Sequence, residues 1–195
     1  MLKKVTIKDV INNETPEYIK TNKVVAERDG KEFGWEIAVG HDSVHIMVNN
    51  VEKNTLELVR QVRIPVLVNN PTTDGTCYEC CAGLVDKDLP LVQIAQEEVL
   101  EELGYEVETK NMSVVRHFLS SVGSRGGNIY TYTVNVNESM RVSEGGGLND
   151  EDIEVISIPY EDVSDFIYGY GDYKDARTDA TTLFLLLDWL HNSRD

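Results

Sequence analysis

Positive charge is scarce in this 195-residue chain: 18 lysines and arginines stand against 34 aspartates and glutamates, for a formal charge of −16. That balance argues against nucleic acid as a partner, because such binding is driven by Lys and Arg displacing counterions. Long apolar runs are missing as well. No stretch approaches the roughly 20 residues needed to span a bilayer, and the opening MLKKVTIKDV lacks the apolar core of a signal peptide. No membrane partner and a cytoplasmic location are therefore expected. Cysteine is confined to Cys77, Cys80 and Cys81, an odd number in one short segment. Cys77 and Cys80 form a CxxC, but no second pair or nearby His completes a zinc site, so buried thiols on a strand are expected.

Carboxylate, by contrast, is abundant and concentrated. Gly83 to Tyr105 reads GLVDKDLPLVQIAQEEVLEELGY, a glycine-opened loop running into a helix that carries Glu97, Glu98, Glu101 and Glu102 in its last turns. At about 100° of rotation per residue, Val92, Ala95, Val99 and Leu103 form its core-facing stripe. Glu98 and Glu102 fall beside that stripe, and Glu97 and Glu101 point further toward solvent. Asp88 is placed to cap the start, Pro90 suits the first turn, and Gly104 supplies a left-handed stop. Like charges one turn apart repel by a few tenths of a kcal/mol or so per pair, so something should oppose them. Carboxylates on one side of a helix can share a hard divalent cation, Mg²⁺ or alternatively Mn²⁺; the plain alternative is a solvated acidic face.

Elsewhere the pattern is strand-rich. VTIKDVI, KVVAER and EFGWEIAV alternate with turns, the last two joined by Asp29-Gly30, a hairpin signal. SVHIMVNN and LELVRQVRI form a second hairpin about the polar turn at Glu52 to Asn54. TCYECCAGL precedes the acidic helix, and VETKNMSVVRHFLSS, a glycine turn at Gly123 to Gly127 and NIYTYTVNV follow it. A glycine- and acid-rich loop runs from Ser139 to Asp152, before the strand IEVISIP and a closing helix, DARTDATTLFLLLDWLHN, with Leu183, Leu186, Leu187 and Leu190 on one face. This order predicts an α/β fold, an α/β/α sandwich with a mixed sheet.

The Gly83–Tyr105 segment resembles the Nudix box: Gly83 takes its first glycine, Glu98 the glutamate after the arginine, Val99 the hydrophobic position, Glu101 and Glu102 the paired glutamates, and Gly104-Tyr105 the end. Leu89 stands where the first glutamate is expected and Glu97 where the arginine is expected. HDSV from His41, LELVRQVRIPV from Leu56, YECCAGLVD from Tyr78 and GGGLNDEDIEV from Gly145 are similar to UDP-sugar diphosphatases (UDP-glucose pyrophosphatases), relatives of the ADP-ribose pyrophosphatases. The resemblance implies a Nudix domain over residues 41–195 behind an N-terminal β extension, residues 1–40, that dimerises. It implies metal-dependent hydrolysis of a nucleotide sugar to nucleoside monophosphate and sugar 1-phosphate, with Mg²⁺ or Mn²⁺ as cofactor. Glu98 and Glu102, with Glu101 and the backbone carbonyl of Ala82, would hold metal. Glu151 would be the general base, with Asp150 in reserve and Glu101 as a further catalytic acid. Arg63 and Arg125 would hold phosphate, and Trp35 would stack on the base across a homodimer. Glu97 would add a fourth carboxylate that makes the metal-stripped site resist full ionisation, unless a basic residue such as Arg116 or Lys87 takes over the arginine's role. A Nudix-fold binding protein without turnover and an acidic interaction domain are the competing readings.

Overall fold

The computed structural model describes residues 1–11, 13–148 and 151–193. Its first regular element is a hairpin of β1 (Lys20–Arg28) and β2 (Lys31–Val39) that forms a two-stranded sheet of its own. Asp29 and Gly30, at φ 52° and 73°, give the twist that a tight two-residue hairpin turn needs.

The main sheet has seven strands: β3 (Ser43–Asn50), β4 (Thr55–Val62), β5 (Thr76–Glu79), β6 (Cys81–Leu84), β7 (Ser113–Ser120), β8 (Gly127–Val136) and β9 (Glu154–Pro159). β3 runs parallel to β8 and antiparallel to β4 and β6, so the sheet is mixed. Side-chain alternation along it feeds two cores. Val44, Ile46 and Val48 point to the helix α2 (Leu91–Leu103), where they meet Ile94, Ala95, Val99 and Leu103. Met47, Leu56 and Leu58 point to the other face, where α3 (Val163–Tyr168) and α4 (Ala180–Asn192) supply Val163, Phe166, Leu185 and Leu186. The result is the α/β/α sandwich predicted from the order of elements.

Five local expectations are corrected. VTIKDVI is not a strand: among the described residues before Lys20 none is in a strand or helix, because an alternating run without a partner cannot form a ladder. TCYECCAGL breaks at Cys80, since β5 pairs with β4 while β6 pairs with β3; between them the Cys80 amide donates to Thr182 Oγ1 at 2.9 Å. Asp88 does not cap α2. The N-cap is Pro90, because the residue before a proline is driven out of the helical region and Leu89 therefore cannot extend the helix backward. Finally, α4 begins only at Ala180, capped by Asp179, and buries Thr182, Leu185 and Leu186 while Leu187 lies exposed. Thr182 sets that rotation, as its hydroxyl donates to Asp179 at 2.6 Å beneath the Cys80 amide. A short helix, α1 (Ile64–Asn69), follows β4 where only strand and loop were expected. All three cysteines are buried free thiols, as expected.

Candidate active site

The acidic helix leans over β6 so closely that the Glu98 side chain fills the space where a side chain at position 83 would begin. A Cβ at Gly83 would stand 2.0 Å from Glu98 Oε1, so the Glu98 carboxylate lies across the bare backbone of that residue. One residue earlier, the Ala82 amide donates to Glu102 Oε2 at 3.0 Å. Glu102 is only 6% exposed. Burial drives both carboxylates toward their neutral forms. Glu98 is pushed up to about 7, with the negative charge of Glu101 next in weight and Lys87 opposing. Glu102 is pushed up to about 8, partly offset by the Ala82 amide. Burial is the leading cause of both shifts, and Glu97, the expected cause, is not among the main causes of either.

The end of α2 is fastened to the glycine loop. Gly104 stops the helix at φ 77°, and the amides of Gly146 and Gly147 donate to the carbonyls of Glu102 (2.8 Å) and Glu101 (3.0 Å). A Cβ at Gly145 would come within 2.3 Å of the Glu102 carbonyl, so the loop can approach only as glycine. This docking brings Glu151 to the cleft. Its Oε2 accepts the Leu148 amide at 2.8 Å.

Across the cleft the character reverses. Arg63, at the end of β4, lies against Glu79 of β5; its Nε reaches the two carboxylate oxygens at 2.9 and 3.0 Å. Arg125, from the turn between β7 and β8, packs over Gly40 and donates to the His41 carbonyl. His45 on β3 sits between, its ring nitrogens near Ser43 Oγ (3.1 Å) and Cys80 Sγ (3.6 Å). Burial lowers the pKa of that imidazole and favours its neutral form.

Ala82, Glu98, Glu101, Glu102, Glu151, Arg63 and Arg125 therefore border one cleft of about 880 Å³. Trp35 does not line it: the side chain is 55% exposed on the hairpin, and its Nε1 donates to the Gly123 carbonyl at 2.9 Å. Asp150, the reserve base, lies outside the described residues. Arg116 is not at the cleft; its guanidinium lies 5.8 Å from the Phe118 ring on β7. Sequence reasoning missed Ser43, His45, Gln61 and Glu79. Glu79 and Gln61 occupy neighbouring strands beside Arg63, a proximity that no local motif announces. The box did contain Lys87, which pairs with Glu97 at 2.6 Å. Glu97 is thus not the uncompensated fourth carboxylate of the first expectation.

Among the described residues no trio of His, Cys, Asp or Glu forms a ready-made ion cage. The donor set still suits Mg²⁺ or Mn²⁺, being hard carboxylate oxygens and a backbone carbonyl. Mg²⁺ commonly takes one or two carboxylates together with substrate phosphates and keeps several waters, rather than an all-protein cage.

The raised values of Glu98 and Glu102 give a pH signature. In the unfolded chain both groups titrate near the ordinary carboxylate value of about 4.3, so between that pH and 7 to 8 the folded protein holds protons that the unfolded chain has released. Their contribution to stability is fully present below about pH 4 and is lost as pH rises through the folded values. A cation requires the ionised carboxylates. The rise in melting temperature on replacing EDTA with Mg²⁺ should accordingly grow between about pH 6 and pH 8. An increment that shrinks over that interval would contradict the assignment of both groups.

No family model matches the chain. A GDP-mannose pyrophosphatase of Salmonella arizonae is 38% identical over 151 residues, 76% of this chain and 72% of that protein. A GDP-mannose pyrophosphatase of Escherichia coli is 36% identical over the same shares of both chains. A solved structure described as an ADP compounds hydrolase superposes with a TM-score of 0.67 over 99% of this chain and 97% of that one; at 16% identity it shares the fold. With pyrophosphatase relatives at this identity and coverage, and with the box helix seated as described, the chain belongs to the Nudix hydrolase family.

Proposed function

We propose that the chain is a divalent-metal-dependent diphosphatase of nucleoside diphosphate sugars, releasing nucleoside monophosphate and sugar 1-phosphate. The observation that carries this reading is the single cleft that brings the carboxylates of Glu98, Glu101 and the buried Glu102 together with Arg63 and Arg125. A water oxygen bonds to one phosphorus, the bridging P–O bond breaks, and the bridging oxygen departs with the other phosphate. Glu98 and Glu102, with Glu101 and the Ala82 carbonyl, would hold a divalent ion, which would supply positive charge against the charge that develops on the phosphate oxygens. Arg63, steadied by Glu79, presents its remaining N–H groups to the diphosphate, a geometry that suits phosphate oxygens. Arg125 holds the diphosphate from the neighbouring turn. Glu151 takes the proton from the attacking water.

The names of the relatives favour GDP-mannose as substrate, and the segments from His41, Leu56, Tyr78 and Gly145 favour UDP-glucose. Incubation with Mg²⁺ or Mn²⁺ and UDP-glucose, UDP-galactose, GDP-mannose or ADP-ribose decides between them through the monophosphate released. AMP from ADP-ribose alone would move the substrate to that compound. Nucleotide binding without any release would favour the non-catalytic reading, to which Leu89 and Glu97 point.

We further propose a cytoplasmic homodimer assembled through residues 1–40. The hairpin stands apart from the main sheet and leaves Val24, Val25, Phe33 and Trp35 exposed, and Trp35 would face the partner's nucleobase. Light scattering at micromolar concentration is expected to give twice the 22.0 kDa chain mass. A monomer mass would remove the dimer, and a dimer surviving deletion of residues 1–40 would remove this route to it.

A further inference from the structure

The turn between β6 and α2 is held by very little. From Val85 to Leu89 it makes, among the described residues, two hydrogen bonds. The Val85 amide donates to the Asp42 carbonyl at 2.9 Å, and Lys87 Nζ donates to Glu97 Oε2 at 2.6 Å. The second crosses from the turn to the acidic helix. Three cations line the cleft, namely Arg63, Lys87 and Arg125. Arg63 is engaged by Glu79 and Arg125 by the His41 carbonyl. Of the three, Lys87 is the one whose ion pair is with a carboxylate of α2. The Nudix pattern puts a glutamate at position 89 and an arginine at 97, whereas here position 89 is a leucine and the ion pair runs with opposite polarity from Lys87 to Glu97.

We propose that Lys87 and Glu97 form a charge-reversed clasp that seats the Val85–Leu89 turn on α2, and that Lys87 is thereby a positioning residue for the metal-binding carboxylates Glu98 and Glu101. The clasp rests on the proposed metal-dependent activity for its purpose, but its geometry stands independently. Glu97 begins the turn of helix whose next residue is Glu98, the carboxylate laid across Gly83. Gly83 itself ends two residues before Val85. The strand that supports Glu98 and the helix that bears it are thus tied together on both sides of the cleft's acidic wall. Both members of the pair are half-exposed, at 44% and 39% of their side-chain surface. Such pairs contribute at most about 1 kcal/mol to stability, so the pair can be broken without unfolding the protein.

The alternative is that Lys87 merely screens the acidic wall. The two cases differ in sign. For a clasp, Lys87→Glu and Glu97→Lys each loosen the seat and both weaken Mg²⁺ binding, by about tenfold, the lower end of what partners of metal ligands cost when lost. The double exchange Lys87→Glu/Glu97→Lys restores the pair and recovers most of the affinity. For screening alone, Lys87→Glu adds negative charge and tightens the cation while Glu97→Lys loosens it. The readout is the Mg²⁺ concentration that produces half the maximal rise in melting temperature, which needs no turnover. Opposite shifts in the two single variants, no shift in either, or a double exchange that fails to recover each overturn the clasp. A wild-type protein that shows neither a metal-induced rise nor monophosphate release would overturn the proposed function instead. The clasp would then be judged by the melting temperatures in EDTA alone, where a double exchange no more stable than the sum of the single changes overturns it.

Discussion

Glu98→Gln and Glu102→Gln are each expected to lower kcat by at least about 10²-fold while leaving the protein folded. Glutamine preserves the length of the side chain and can still accept the Ala82 amide from position 102, whose present bond is 3.0 Å. It removes the charge on which cation binding depends. It also removes a carboxylate that burial already disfavours in its ionised form, so the metal-stripped variants should melt no lower than wild type near pH 8. High activity of both variants at saturating Mg²⁺ would dismiss these residues as ligands.

Gly83→Ala should reproduce most of the Glu98→Gln defect without touching any acid. The backbone at Gly83 is not in the left-handed region, so alanine brings no backbone strain. What it brings is a methyl group in the space of Glu98 Oε1, Cδ and Cγ. A flexible side chain can swing aside from such a clash, so the stability cost should stay within the roughly 1–3 kcal/mol of ordinary overpacking. The carboxylate, however, no longer lies over β6. We expect kcat to fall by about 10²-fold or more, together with a much smaller metal-induced rise in melting temperature. A Gly83→Ala protein with wild-type turnover would mean that the position of Glu98 over the strand is immaterial.

Local chemistry in the sequence was enough for the elements that obey it. The Asp29-Gly30 turn, the strand SVHIMVNN and the Gly104 stop were legible because turn residues, alternation and left-handed glycine each act within a few positions. The acidic helix was legible too, and so was the wall it forms. Long-range placement was not. Leu187 looked like a core residue until Thr182, held by Asp179 and Cys80, set the rotation of α4. Glu79 gave no sign of its partner because the pairing of β4 with β5 places it beside Arg63 across sixteen residues of sequence. Trp35 was read correctly as a hairpin residue, yet within one chain its indole turns to Gly123 rather than to the cleft. Lys87 was visible inside the box as one residue that could take over the arginine's role, but only the fold shows that it reaches Glu97.

The amides of Gly146 and Gly147 hang from the carbonyls of Glu102 and Glu101, and this has a mechanical consequence. The two residues whose side chains form the acidic wall also carry, on their backbones, the loop that bears Glu151. The proposed base and the proposed ligands Glu101 and Glu102 therefore ride on a single lever, the last turn of α2. Any tilt of that helix moves them together and preserves their spacing. Adjustment to sugars of different size then falls to Arg63, which follows β4, and Arg125, in the turn between β7 and β8, since neither is carried by α2.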